Sequence, residues 1–412
     1  MRVQRRHVIY VQGYDPRGLA QYYRMFRTEL RKSAKLYGLR IDVGRPQSAD
    51  DGTMASWSIE TQGHGWRTRT SYDFLRWEDL IKDDFSKPIW RTVLDAFAIY
   101  LGAVIRGIIP RMWKAHWRFG MFITYPHFVL LNLAIWSLLP AWATGALTSA
   151  LGAPPAASWI ATVAVYAAAL WALLKYTEKR TYALYLMADT IFTWRFAHRQ
   201  RPDWDRRIDH FARHLVETAR SSDAEELVVV GHSSGSFLGV EIMARALAID
   251  PDLGRHGPRV TLLTLGGNLP IVGFLPVSQT FRAHLRRLAV EPAIDWIDCQ
   301  SRKDVMNFYP FDPIKGHRID AGPARRNPVV IPIRFRDMID PVHYNSFRWQ
   351  FFRVHFQFVM ASERPHPYDF NMMVCGPVAL ADRARDPAAA LETVLSPEGA
   401  GASALSPAPA AL

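Results

Sequence analysis

The segment GHSSG at residues 231–235 sets a serine between two glycines, a spacing that suits nucleophilic catalysis. The apolar run before it predicts a buried β-strand, and the apolar-periodic segment 237–248 predicts a helix directly after it. Small residues allow a sharp strand-to-helix turn that exposes the hydroxyl, while the N-terminal N–H groups of the helix favour negative charge there. We therefore predict that Ser233 is a nucleophile. The alternative is a structural turn or a phosphate-binding loop, but no Gly-Lys-Ser/Thr triplet follows.

A serine hydroxyl needs a base to accept its proton, and the base needs an acid to orient it. In chains with this turn the acid and then the histidine follow the serine in sequence. Asp304 follows a strand predicted over 293–299 and is our prediction for the acid. Asp298, inside that strand, and Asp312, among prolines, remain alternatives. The alternative for Asp304 itself is an aspartate without a catalytic role, in a turn at the surface.

The base is expected on a loop just before the last helix, which the sequence predicts over 346–361. His343 occupies that position and is our prediction for the base; the alternative is a surface histidine that flanks the helix. His355 falls inside the predicted helix on an aromatic face, so we expect it to pack in the core. His317 and His366 lie in loops at less suitable positions.

An acyl-transfer reaction also needs two preorganised N–H donors for the oxyanion. One is expected from Ser234, the residue after the nucleophile. The other is expected from the turn after the first strand, QGYD at 12–15, where Tyr14 follows the glycine. The predicted oxyanion hole therefore consists of the backbone N–H groups of Tyr14 and Ser234.

The elements around these residues alternate between strands and helices. Strands are predicted over 7–11, 40–43, 55–61, 68–74, 259–265 and 293–299, and helices over 19–36, 182–198 and 204–220. This alternation predicts an α/β fold with a doubly wound, mostly parallel sheet.

The alternation is interrupted by 56 consecutive residues, 119–174, that include no Asp, Glu, Lys or Arg. Within it, 119–142 and 156–174 are each long enough to cross a hydrocarbon core of ~30 Å. The sequence therefore predicts a transmembrane helical hairpin with a short uncharged connection. The alternative is a buried helical cap on a soluble enzyme, which His127 and Asn132 in the first span favour.

Basic residues flank the hairpin on both sides. They are Arg106, Arg111, Lys114 and Arg118 before it, and Lys175, Lys179 and Arg180 after it. By the positive-inside rule both ends face the cytoplasm, which predicts a multi-pass protein of the inner membrane with its catalytic part in the cytoplasm. The apolar segment 96–105 is too short to span and predicts an interfacial helix.

The net charge of +12 is spread along the chain instead of forming one basic block with interleaved aromatics. We therefore expect an anionic membrane surface, and no nucleic acid, as the partner of this charge. Two cysteines, Cys299 and Cys375, give no disulfide framework and suit a reducing compartment. The N-terminus has no segment that resembles a signal peptide.

These features together resemble the α/β-hydrolase superfamily, in particular its lipase and esterase branch. The resemblance rests on GHSSG at 231–235, QGYD at 12–15, Asp304 and His343. It implies acyl transfer to water through a serine ester, with no cofactor and no metal.

We therefore expect a membrane-anchored serine hydrolase that cleaves an ester of a lipid or another apolar acyl substrate. An acyltransferase or thioesterase with the same triad, or a catalytically silent membrane scaffold, are the alternatives. The predicted organisation is an N-terminal part of the hydrolase core (1–87), a membrane insertion (88–180), the C-terminal part of the core (181–379) and a disordered Ala/Pro-rich tail (380–412).

Overall fold

The apolar segments 5–11 and 226–232 form neighbouring parallel strands in the interior of a mixed sheet, in a computed structural model that describes residues 2–395. Their side chains alternate between two hydrophobic cores. Ile9 and Val229 face one core, whereas Val8 and Val228 face the other. Because both faces of these strands are buried, helices must cover the sheet on both sides.

The strands are β1 (Arg5–Val11), β2 (Arg40–Val43), β3 (Gln47–Ser48), β4 (Met54–Gly63), β5 (Trp66–Leu75), β6 (Glu226–His232), β7 (Arg259–Leu265), β8 (Ile294–Gln300) and β9 (Val329–Pro332). Their order in the sheet is β2-β4-β5-β1-β6-β7-β8-β9, with β3 paired to β4. All antiparallel pairings between the strands β1 to β9 involve β4, and every pairing from β5 across to β9 is parallel. The predicted α/β class with a mostly parallel sheet is confirmed.

The helices of the first half are α1 (Gly18–Tyr37), α2 (Glu78–Phe85), α3 (Ile89–Ile105), α4 (Ile108–Ala115), α5 (Trp117–Ala150), α6 (Pro155–Thr181), α7 (Ala183–Ala197) and α8 (Pro202–Ser221). Those of the second half are α9 (Gly235–Ile249), α10 (Leu269–Gly273), α11 (Gln279–Val290), α12 (Phe335–Met338), α13 (Pro341–Phe347), α14 (Phe351–His355), a 3₁₀ turn (Phe356–Val359), α15 (Phe370–Cys375), α16 (Leu380–Arg385) and α17 (Pro387–Leu395).

The uncharged segment forms a helical hairpin from α5 and α6, both long and apolar enough to cross a membrane. The hydroxyl oxygens of Thr148 and Ser158 lie 2.5 Å apart near its tip, and Leu174 packs with Leu130 and Leu133 at its base. The stretches 131–150 and 155–174 therefore lie side by side along their whole length. At 1.5 Å per residue, each covers roughly 30 Å, the thickness of a hydrocarbon core.

The hairpin differs from the sequence-based bounds in length. Both helices extend beyond 119–142 and 156–174, and only 151–154 remain as the connection. The N-terminal part of α5 packs on the sheet domain, where Phe119 stacks on Phe308 with ring centroids 4.0 Å apart. The segment predicted as an interfacial helix, 96–105, is the second half of the longer α3. If α2 and α3, which meet at 100°, count as one broken span, the described residues have three candidate spans.

Two further expectations differ from the structure. The helix predicted over 346–361 is broken into α13, α14 and the 3₁₀ turn. Residues 380–395 form α16 and α17, where we expected a disordered tail, because Leu380 and Val394 pack in the second core. The remaining predicted tail, 396–412, lies outside the described residues.

Candidate active site

The turn at residues 231–235 has the backbone strain expected of a nucleophile turn. Ser233 has a φ of 58°, in the left-handed region that residues with a Cβ rarely adopt. Its N–H donates to the Leu265 carbonyl oxygen at 3.0 Å, which ties the turn to the end of β7. Such a conformation costs of order 1–3 kcal/mol and clusters at functional sites. Ser233 is also partly accessible, whereas the other four residues of the turn are buried.

Glycine is required at both ends of this turn for steric reasons. A Cβ on Gly231 would lie 2.4 Å from the Gly235 carbonyl oxygen, and a Cβ on Gly235 would lie 2.2 Å from the Val11 carbonyl oxygen. Neither contact is tolerated between real atoms, so no larger residue fits without moving the backbone. Close backbone packing in the turn between β6 and α9 therefore requires both glycines of the motif.

A buried histidine–aspartate pair lies at the carboxyl end of the sheet. His355 Nδ1 is 2.6 Å from Asp304 Oδ2, and both side chains are buried. Asp304 Oδ1 accepts the N–H of Met306 at 2.9 Å, which fixes the carboxylate in its loop after β8. In a neutral ring that donates from Nδ1–H to the carboxylate, the other ring nitrogen, Nε2, has a free lone pair.

The His355 ring borders the serine turn. It stacks on the ring of His232 with centroids 4.7 Å apart, and His232 Nε2 lies 3.3 Å from the His355 carbonyl oxygen. A Cβ on Gly266, the residue after Leu265, would lie 3.2 Å from His355 Cε1. His355 Nε2 is buried and has no hydrogen-bond partner within residues 2–395, so it is not bonded to Ser233 Oγ. Hydrogen bonds between nucleophile and base are often long without substrate.

His343 does not reach this cluster. It lies in α13 at the surface, where its Nδ1 pairs with the Glu363 carboxylate and its side chain is about half exposed. The structure thus brings Asp304 together with His355, not with His343. The predicted burial of His355 is confirmed, but its ring contacts an aspartate and borders the serine turn.

The remaining candidates lie elsewhere. Asp298 accepts from Thr264 Oγ1 and Gln300 Nε2 within β8, and burial raises the pKa of its carboxyl to about 6. Asp312 pairs with Arg325 at 2.6 Å.

The two remaining histidines are likewise engaged with backbone atoms. The ring of His317 bonds the Pro313 carbonyl oxygen, and burial lowers its pKa to about 4. His366 bonds the backbone of Tyr368.

The predicted oxyanion donors lie beside Ser233. A Cβ built on Gly13 would be 2.9 Å from Ser233 Cβ, so the turn after β1 lies against Ser233. The backbone N–H groups of Tyr14 and Ser234 have no acceptor among residues 2–395. The Tyr14 side chain is buried and stacks on Phe192 with centroids 4.9 Å apart, which holds the turn in place. Two unengaged donors therefore accompany the serine.

A small cavity opens at Ser233, with a volume of about 20 Å³. Its other lining residues come mainly from α5 and α7 and are Phe119, Phe122, Ile123, Pro126, Leu186, Asp189, Thr190, Thr193, Asn268, Ile271 and Met306. The wall of this cavity is thus built by the same helix that continues into the hairpin.

Asp189 is a further functional candidate, which the sequence patterns do not indicate. Its Oδ1 accepts the Ser234 hydroxyl at 3.4 Å, and that hydroxyl accepts from Asn268 Nδ2 at 3.2 Å. Burial raises the pKa of its carboxyl to about 7, against smaller lowering effects of Ser234 and His355. One feature of the sequence could have indicated it: Asp189 is the only charged residue between 181 and 194, in an otherwise apolar segment.

No group of three or more His, Cys, Asp or Glu side chains that could hold a metal ion occurs within the described part of the chain. No family model matches the chain, and no curated protein and no solved structure matches it either.

Proposed function

We propose that the protein is a membrane-anchored serine hydrolase of the α/β-hydrolase type, with Ser233, His355 and Asp304 as its triad. The observation that carries this proposal is the buried His355–Asp304 pair at 2.6 Å beside a serine held at a φ of 58°. Support also comes from the sheet order, in which the oxyanion turn follows β1, the serine follows the adjacent β6, and the acid follows β8.

In the proposed reaction the Ser233 hydroxyl attacks the ester carbonyl carbon, and His355 Nε2 accepts its proton. The oxyanion is stabilised by the N–H groups of Tyr14 and Ser234. The leaving alcohol takes the proton from His355, which gives an acyl-serine and a neutral imidazole. Water then gives its proton to His355 and its oxygen to the acyl carbon, and Ser233 recovers its proton from His355.

His232 is proposed to position the base. Burial and the neighbouring His355 hold the pKa of His232 well below its usual range, so this ring stays neutral. A neutral ring with a proton on Nε2 donates to the His355 carbonyl oxygen and stacks on its imidazole. His232 thereby fixes the backbone of His355. Because His232 is neutral, it adds no positive charge next to His355 when that ring is protonated during the reaction.

The substrate class follows from the cavity wall. The cavity has room for about one water, so an acyl group can enter only if side chains of its wall, several of them on α5, move aside. The same helix continues into the apolar stretch 131–150, which exposes large apolar side chains such as Leu138 and Trp142. A substrate that partitions into the bilayer would reach the serine along this helix. We therefore propose an ester with an apolar acyl chain.

The proposed location is the cytoplasmic side of the inner membrane. This follows from the basic residues on both flanks of the hairpin, through the positive-inside rule. Both apolar stretches then cross the bilayer, with the connection 151–154 on the outer side.

The test is hydrolysis of p-nitrophenyl esters of increasing chain length by the full chain in neutral detergent. Wild type should hydrolyse them, with a preference for the longer acyl chains, and Ser233→Ala should lose the activity. Ser236→Ala is a matched control, because Ser236 lies three residues along the chain and its hydroxyl has no partner in the described structure. Equal hydrolysis by wild type and Ser233→Ala would overturn the proposal.

An acyltransferase on the same triad is the second candidate. It differs from the hydrolase only in the nucleophile that reaches the acyl-serine, an alcohol in place of water. Transfer of the acyl group to an added alcohol in preference to water would identify it.

A further inference from the structure

A cleft next to the Asp304 loop collects cationic side chains. It has a volume of about 560 Å³ and is called here the basic cleft. Its charged lining residues are Arg118, Arg302, Lys303, Arg334 and Arg336. Arg348 lies beside it, because its guanidinium and the Lys303 ammonium both sit over the Trp349 ring, at 5.4 and 4.1 Å from the centroid.

These charges are poorly neutralised by the protein itself. Asp337 pairs with Arg334 at 3.4 Å and with Arg336 at 3.5 Å. Among residues 2–395, Arg118, Arg302, Lys303 and Arg348 have no carboxylate partner within ion-pair distance. Like charges gathered along one cleft repel each other, and a bound anion would relieve that repulsion.

The lining also offers an unused hydroxyl. Ser301 is buried, and its Oγ has no hydrogen-bond partner in the described structure. Tyr309 and Tyr344 bring two more hydroxyl groups to the same wall. An unpartnered buried donor beside unpaired guanidinium groups is the donor set that phosphate oxygens require.

We propose that the basic cleft binds a phosphate-bearing anion, in the form of a phosphomonoester or diphosphate group. Six cations opposed by one carboxylate favour a ligand with two or more negative charges over a singly charged phosphodiester. The group is carried either by a membrane lipid or by a soluble phosphate ester. The proposal does not depend on the hydrolase function, although Arg302 and Lys303 immediately precede Asp304.

The experiment uses the full chain in neutral detergent at physiological salt, titrated by calorimetry with four probes. These are inorganic pyrophosphate, inorganic phosphate, micellar dioleoyl phosphatidic acid and micellar dioleoyl phosphatidylglycerol. We expect saturable binding of pyrophosphate or phosphatidic acid, and weaker binding of phosphatidylglycerol. Pyrophosphate binding alone identifies a soluble ester as the source, and phosphatidic acid binding alone identifies a lipid.

The decisive comparison is between two variants with equal charge change. Arg302→Gln with Arg348→Gln removes two exposed cations of the cleft and should weaken binding by about tenfold or more, as expected for lost charge-assisted hydrogen bonds. Arg206→Gln with Arg213→Gln removes two exposed cations on α8 and should change it less than about twofold. Equal weakening in both variants, or no saturable binding of any probe by wild type, would overturn the proposal.

Discussion

His355 Nδ1 lies 2.6 Å from Asp304 Oδ2, in a pair whose side chains are both buried and which borders the turn that carries Ser233. The two residues are 51 positions apart, and the loops after β8 and β9 bring them together. A buried imidazole nitrogen without a hydrogen-bond partner costs free energy, and such exceptions in native structures often mark a functional group. Proton transfer from Ser233 would supply one.

The role of Asp304 predicts a large loss of activity on Asp304→Asn. The amide cannot hold the imidazole in the tautomer that leaves Nε2 free, so the rate should fall by about 10³- to 10⁴-fold. Asp312→Asn is the control, since Asp312 pairs with Arg325 and should keep activity within about twofold. Ester hydrolysis measures both, and similar rates for the two variants would remove Asp304 from the triad.

The buried carboxyl of Asp189 predicts a pH-dependent stability. Burial raises its pKa from 3.8 to about 7, so the folded chain keeps this proton at pH values where the unfolded chain has lost it. Its contribution to stability is therefore fully present below about pH 4 and is lost as the pH rises through 7. Asp189→Asn carries no such penalty, and its advantage over wild type should grow by about 2–3 kcal/mol between pH 5 and pH 8.

Denaturant unfolding at several pH values measures this difference. Asp223→Asn serves as the reference, because Asp223 is 88% exposed and its ion pair with Arg5 is a surface one. An advantage of Asp189→Asn that stays constant with pH would mean that Asp189 is not protonated in the folded state.

The packing of the serine turn predicts that Gly235→Ala is severely destabilising. The new methyl group would overlap the Val11 carbonyl oxygen, at 2.2 Å, and force β1 and α9 apart. We expect a loss of about 2–3 kcal/mol or more in the free energy of unfolding. Gly102→Ala in α3 has its nearest neighbour at 3.6 Å, on a flexible arginine, and should be neutral or slightly stabilising. Thermal unfolding of both variants checks the prediction, and equal stability would contradict it.

The apolar hairpin predicts integral membrane association. Trp136, Trp142, Trp159 and Trp171 are all more than half exposed, on helices where water would be a poor solvent for them. The full chain should therefore remain in the membrane pellet after extraction at alkaline pH and enter solution only with detergent. Release into the alkaline supernatant would indicate that the hairpin packs against protein instead.

Much of the framework follows from local patterns. The apolar run of β6, the glycine spacing and the amphipathic helices predict the sheet and the serine turn, because period and burial are encoded within a few residues. Strand β7 matches the predicted 259–265 in full. The acid candidate Asp304 was chosen from its place after a strand, and the structure sets it against a histidine.

The histidine itself could not be chosen this way. The aromatic periodicity of 346–361 indicated one continuous helix, but the chain breaks between α13 and α14, where Trp349 is exposed and Phe347 is buried. That break turns His355 towards the loop of Asp304 and leaves His343 outside. The contact between His355, at the end of α14, and the loop of Asp304 depends on tertiary packing. The periodicity of apolar residues in the sequence does not predict such a contact. The sequence does not indicate Asp189 for the same reason: Ser234, Asn268 and His355, which surround it, come from three distant segments of the chain.

The most direct test of the proposed triad is covalent labelling by a fluorophosphonate probe, with the modified peptide mapped by mass spectrometry. The probe reacts with a serine only when a base activates it. We expect an adduct on Ser233 in wild type and in His343→Gln, and none in His355→Gln. An adduct on Ser233 that persists in His355→Gln but disappears in His343→Gln would contradict it.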